Sequence, residues 1–217
     1  AIWRRFLGKN FFRKERWLIM KKTLIGLFLV LGAASFADAG KVEVKGGIDF
    51  GGKYHYEKDW RTQKTKNSSG EIGVEYRNEV VPGLEVGGGT AFQFHKDLKD
   101  KVQGQNEKNY NSVPVYATAK YTFDTQTVVK PYVKGDLGYS FNSGNHDYGV
   151  LGKFKAKNGL YYGVGGGINF NNVNVELMYK ENQGEYKYEG PVRVNSKYDA
   201  NYRRVSLGVG YNFNLGN

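Results

Sequence analysis

From residue 42 onward the chain alternates between apolar and polar residues in eight separate runs. The runs cover approximately 42–56, 71–80, 84–95, 113–123, 129–141, 160–170, 173–180 and 203–213. A period of two places successive side chains on opposite faces, so each run reads as a β-strand. One set of faces collects 48 positions, mostly Val, Leu, Ile, Gly and aromatics, with a single charge, Arg203. The other set collects 43 positions with sixteen charges.

A water-soluble sandwich also alternates, because its inner faces pack together and its outer faces meet solvent. Two features point to lipid instead. The apolar faces carry aromatics at their ends and Val, Leu, Gly or Ala midway, as interfacial girdles do. The connections also alternate in length. Val81-Pro82-Gly83, residues 124–128 and Asn171-Asn172 are short, whereas roughly 57–70, 96–112, 142–159 and 181–202 are long. Short turns at one end and long loops at the other suit an outer-membrane barrel. Closure also removes the unpaired strand edges that lipid cannot hydrogen-bond. The expected fold is all-β, an eight-stranded antiparallel transmembrane up-and-down β-barrel over residues 40–217.

Composition narrows the alternatives. The mean hydropathy of −0.60 excludes a bundle of apolar membrane helices, and 15% aromatics excludes a disordered polar chain. With no Cys, disulfide scaffolds, thiolate metal sites and cysteine nucleophiles are excluded. The net charge of +11 is concentrated before residue 40, where eight Lys/Arg face Glu15 and Asp38. The remaining charges alternate along strands and form no stripe for phosphates, so nucleic acid is not an expected partner.

Residues 20–39 read as a secretory signal peptide. Met20-Lys21-Lys22 is followed by the apolar run from Leu24 to Ala34, and small residues allow a cut after Ala37 or Ala39. The run is too short to span a bilayer as a helix. Residues 1–19 are expected to be a gene-start overrun, with translation beginning at Met20. The alternative is a basic, aromatic segment that lies on a membrane surface.

The last strand contains Ser206, Gly208, Tyr211 and Phe213 in the order polar, Gly, aromatic, aromatic. This resembles the C-terminal β-signal that outer-membrane proteins present to the barrel-assembly machinery, although four residues follow Phe213. Residues 158–170 resemble the sixth strand of small OmpA-like, OmpX-like and opacity-type (porin superfamily) barrels. The resemblance covers residues 40–217, the barrel domain only. It implies location in the cell outer membrane and a partnership with the assembly machinery. It leaves the role open, because the superfamily includes adhesins, anchors, narrow pores and enzymes.

The polar faces point into the lumen. Their cations are Lys45, Lys53, Arg77, Lys120, Lys130, Lys134, Lys180 and Arg204; their anions are Glu43, Asp49, Glu71, Glu75, Glu79, Glu85, Asp136 and Glu176. Eight strands enclose a space wide enough only for side chains. Equal numbers of opposite charges there suggest an ion-pair network that plugs the barrel. The alternative is a gated, narrow ion path eased by small lumen residues such as Gly87, Gly89, Gly163, Gly165 and Gly167. Those glycines could equally make room for neighbouring tyrosines.

Catalysis is not expected. A triad needs a nucleophile, a base and an orienting group in reach of one another. His55 and His95 are expected to point inward near the external rim, with Asp59 or Asp97 nearby, and His146 lies in a loop. No Ser has a comparable claim. No cofactor or metal is expected. The loops remain as sites of function. Residues 58–66 and 96–101 are Lys-rich, and 186–195 is long enough to extend the barrel as a hairpin. Lys and Arg at the rim, Arg203 among them, are expected to meet the phosphates of outer-membrane lipids and lipopolysaccharide. The expected protein is a monomer with a structural or adhesive role through four extracellular loops. A cell-surface or host ligand on those loops is a possible partner. A small porin-like channel is the alternative, and a lipid-modifying enzyme a more distant one.

Overall fold

A computed structural model describes residues 40–56, 61–64, 69–95, 101–102, 105–106, 110–143, 145–147, 153–189, 197–199 and 201–215. Eight strands form the body: β1 (Gly40–Tyr56), β2 (Ser69–Val81), β3 (Leu84–Phe94), β4 (Asn111–Thr122), β5 (Val129–Ser143), β6 (Gly159–Phe170), β7 (Val173–Asn182) and β8 (Asn201–Leu215). Each pairs antiparallel with the next, and β8 pairs back on β1, so the sheet closes as the alternation implied. The signal-peptide and overrun segments, residues 1–39, lie outside the described residues.

The tilt of the strands can be followed through the register. A hydrogen-bonded row that starts at Lys53 passes through Arg203, Glu181, Tyr162, Leu137, Ala117, Gly88 and Tyr76. It returns to β1 at Val42, far below its start. A closed sheet must be staggered in this way.

The protein is inside out compared with a water-soluble domain. Leu137 is 65% exposed and Ile72 60%, whereas Arg77 is 1% exposed and Glu75 fully buried. The exposed apolar residues form a band that ends in aromatic pairs. Tyr121 and Phe123 lie 5.1 Å apart near the short turns, and Tyr139 and Phe141 lie 5.4 Å apart at the loop end. An apolar band between aromatic girdles is what a bilayer requires of a barrel exterior.

The short connections are tight. Gly83 takes φ +82° in the turn between β2 and β3, where Glu79 accepts its N–H at 2.8 Å. Asn171, at φ 53°, turns β6 into β7. At the opposite end Arg61–Lys64 pairs with the top of β1. Four short strands, Asn145–Asp147, Lys153–Lys157, Glu185–Glu189 and Lys197–Asp199, form a small sheet from the last two long connections. Within it Glu185–Glu189 pairs with Lys197–Asp199 as the two arms of a hairpin in the fourth loop.

One irregularity changes which side chains face the lumen. Phe50 is opposite Val205 and Lys53 opposite Arg203, so β1 has one residue more than β8 between these pairs. The extra residue forms a bulge at Gly51, whose φ of +63° favours glycine. Below the bulge Glu43, Lys45 and Asp49 are inward and buried; above it Lys53 is exposed. The expectation of Lys53 in the lumen is therefore corrected.

Candidate functional site

The barrel interior holds two linked groups of charges. The lower group is centred on Glu75. Its Oε1 accepts hydrogen bonds from Lys45 at 2.5 Å, Lys134 at 2.6 Å and the Tyr116 hydroxyl at 2.9 Å. Its Oε2 pairs with Arg77. Arg77 in turn pairs with Glu43 and, through Nε at 3.1 Å, with Glu85. Glu176 receives Lys45 at 3.3 Å and Lys134 at 3.4 Å from its other side. Strands β1, β2, β5 and β7 are thus tied together across the lumen.

The upper group is smaller. Lys180 pairs with Glu71, and Arg204 approaches Asp49 at 3.0 Å and Glu71 at 3.7 Å. Amides complete it: Gln93 donates to Glu71 at 3.1 Å, and Asn182 donates to Gln93 at 3.0 Å and to Ser140 at 2.8 Å. A buried ion that lost its partner would carry its full desolvation penalty. Mutual pairing and multiple hydrogen bonds are what make such an interior tolerable.

Tyrosines fill the space between the charges. Tyr116 and Tyr161 are buried with ring centroids 5.1 Å apart. Tyr132 lies beneath Lys120, whose Nζ is 4.1 Å from the ring centroid. A Cβ on Gly89 would fall 2.8 Å from the Tyr116 ring, and one on Gly167 2.7 Å from the Tyr132 hydroxyl. At these positions glycine is the space that a tyrosine occupies.

Thirteen of the sixteen expected lumen charges are buried inside: Glu43, Lys45, Asp49, Glu71, Glu75, Arg77, Glu85, Lys120, Lys134, Asp136, Glu176, Lys180 and Arg204. Lys53 is outward for the reason given above. Glu79 and Lys130 are corrected as well, since both are exposed at the ends of their strands beside the short turns. Glu79 caps Gly83, and Lys130 meets Asp124 at 3.2 Å. Lys41, half-exposed at the foot of β1, pairs with Glu85 and was not anticipated. Nor was Glu181, which the long-loop assignment placed outside the sheet. It lies on the outer wall next to Arg203.

His95 is buried one residue beyond β3. Its Nδ1 is 2.8 Å from the Tyr110 carbonyl, and its ring centroid is 4.2 Å from that of Tyr202. Burial, followed by the Arg204 charge, pushes its pKa well below the ordinary imidazole value. The side chains of His55 and His146, and Asp59 and Asp97 altogether, lie outside the described residues. Among the described residues no group of three or more His, Asp and Glu is arranged to hold a metal ion.

The four residues of the C-terminal signature lie on β8 at the closing seam. Ser206 and Gly208 are inward and buried, opposite Asp49 and Gly47 of β1. Tyr211 and Phe213 are outward, opposite Val44 and Val42, with centroids 4.9 Å apart. Their outward side belongs to the aromatic girdle near the short turns.

Comparison with known proteins agrees with this geometry. The chain is 27% identical over 234 residues to the uncharacterised protein PM1543 of Pasteurella multocida (strain Pm70), covering 89% of this chain and 98% of that one. Solved structures of similar fold include the outer membrane protein AlkL, with a TM-score of 0.50 and 15% identity over 84% of this chain and 93% of that one. Another is Neisserial surface protein A, with a TM-score of 0.49 and 19% identity over 80% of this chain and 97% of that one. The family model of the outer membrane protein beta-barrel domain matches residues 23–217, and the chain belongs to that family of outer-membrane β-barrels.

Proposed function

We propose that this protein is a lumen-plugged outer-membrane scaffold that acts at the cell surface through its loops. The observation that carries the reading is the network around Glu75, in which three cations from three strands converge on one carboxylate. Ions following the barrel axis would have to displace paired, desolvated charges and the tyrosines packed between them. A porin-like path would need a break in that network, and among the small lumen residues Gly89 faces Tyr116, Gly167 faces Tyr132, and Gly163 faces Lys180, Asp136 and Met178.

Activity is then left to the loop end. The first two long connections are rich in lysine, at Lys58, Lys64 and Lys66 and at Lys96, Lys99 and Lys101, and this basic composition supports a polyanionic partner for the surface. Insertion would use the assembly machinery through the β8 signature. The test replaces residues 58–66, 96–101 and 186–195 with short Gly-Ser turns and measures adherence of expressing cells to dextran sulfate. Loss of adherence with the barrel still inserted is the expected result. Adherence unchanged by all three replacements would contradict a loop-borne surface role.

A further inference from the structure

The outer wall should be free of charge where it meets hydrocarbon, yet three charged residues lie side by side on it. Lys53 of β1 is in register with Arg203 of β8, Arg203 with Glu181 of β7, and Glu181 with Tyr162 of β6. All four are at the loop end. Directly below, the same wall is apolar, with Val205 40% exposed and Leu207 42% exposed. Lys53 reaches this position only because the Gly51 bulge reverses the alternation of β1. Charges on a lipid-facing wall are tolerated near the interface and costly at mid-bilayer, so this row marks the headgroup level.

The row is also ordered. The Glu181 side chain is 2% exposed, although it is on the outside of the barrel. Arg203 approaches it through Nε at 2.9 Å, and the hydroxyls of Tyr162 and Tyr179 donate to it, the latter at 3.4 Å. One carboxylate thus fixes the arginine between two interfacial tyrosines, while 42% of the arginine side chain stays exposed. Lys53 is exposed next to it. Two cations against one buried anion leave the row with a net positive charge.

We infer that this row binds the phosphate of a phosphorylated glycolipid in the outer leaflet. A guanidinium held in place offers a planar fork for phosphate oxygens, and because it is already immobilised little ordering entropy is lost on binding. Lys53 adds a second positive charge. The apolar wall beneath the row gives the acyl chains a surface to lie on, which a free phosphate ion cannot use. The ligand is therefore a lipid rather than a soluble anion.

The test is native mass spectrometry of the folded full chain in dodecyl maltoside, titrated with bis-phosphorylated hexa-acyl lipid A. Its phosphate-free derivative and inorganic phosphate serve as comparisons. Retention of the bis-phosphorylated lipid is expected to exceed that of the phosphate-free lipid by about tenfold, the scale of one hydrogen bond to a charged group. Arg203→Gln and Lys53→Gln should each lower it several-fold, and Lys130→Gln, at the far end of the barrel, should leave it unchanged. Lys53 does not contact Glu181, so its variant still reports if Arg203→Gln disturbs folding. Equal retention of both lipids, or full retention by the Lys53→Gln protein, would overturn the assignment. Displacement of the lipid by equimolar inorganic phosphate would overturn the lipid in favour of a simple anion site.

Discussion

Glu75 and Lys134 are 59 residues apart in the chain, yet they meet at 2.6 Å inside the barrel. The pair ties β2 to β5, two strands that share no backbone hydrogen bonds. Lys45 and Arg77 share the same carboxylate, so removing it leaves three buried cations short of a partner. Glu75→Gln should therefore cost about 3–5 kcal/mol, the usual range for breaking a buried pair. Urea titration of the heat-dependent gel mobility shift in lipid vesicles measures it. A loss below the scatter of surface variants would show that the network contributes nothing to stability.

The fit between glycine and tyrosine makes a paired prediction. Gly89→Ala drives a methyl against Tyr116 and the Glu75 stem, and should cost about 1–3 kcal/mol as overpacking. At Gly135 an added Cβ meets nothing within 4 Å, so Gly135→Ala should be neutral or slightly stabilising. The same unfolding titration separates the two.

The bulge can be tested by labelling, since the chain has no native Cys. Lys53→Cys should react with a water-soluble maleimide in the folded protein, whereas Asp49→Cys, 2% exposed as Asp, should not. Deleting Gly51 takes out the extra residue and leaves Lys53 opposite Arg203, so Lys53→Cys should stay reactive in the shortened strand. Protection of Lys53→Cys by the deletion would contradict the bulge as the device that sets this residue's direction.

His95 provides a pH dependence. Its pKa is depressed in the folded protein, so the folded state keeps the ring neutral where the unfolded state takes up a proton. Stability from this group is fully present above about pH 6.5, the unfolded value, and is lost as pH falls from there toward the folded value. The slope is at most about 1.4 kcal/mol per pH unit for one proton. Midpoints of the thermal mobility shift at pH 7.5 and 5.5 should differ for the wild type and converge for His95→Gln. Parallel midpoints in the two proteins would place the sensitivity elsewhere.

The barrel was legible in the sequence because lipid outside and a narrow lumen inside impose opposite demands on neighbouring residues. That is why the alternation from Val129 to Phe141 or from Arg203 to Phe213 survives without interruption. The errors at Lys53, Glu79 and Lys130 have local causes. Gly51-Gly52 was the available signal for Lys53, since adjacent glycines in a strand favour a bulge. Glu79 and Lys130 keep the inward phase but lie at strand ends, where the wall no longer encloses them. Glu181 and Asn182 read as loop in the sequence because a strand that rises above the membrane becomes polar on both faces. The ion pairs could not be read at all. Which cation meets Glu75 depends on the stagger of the closed sheet, a property of all eight strands together.

The central claim is that paired charges close the lumen, and single-channel recording in planar bilayers tests it most directly. The sample should be the folded protein, verified by its heat-dependent mobility shift. The account predicts no discrete conductance from the wild type at neutral pH. Stable, reproducible channels from a sample that passes the folding control would contradict it.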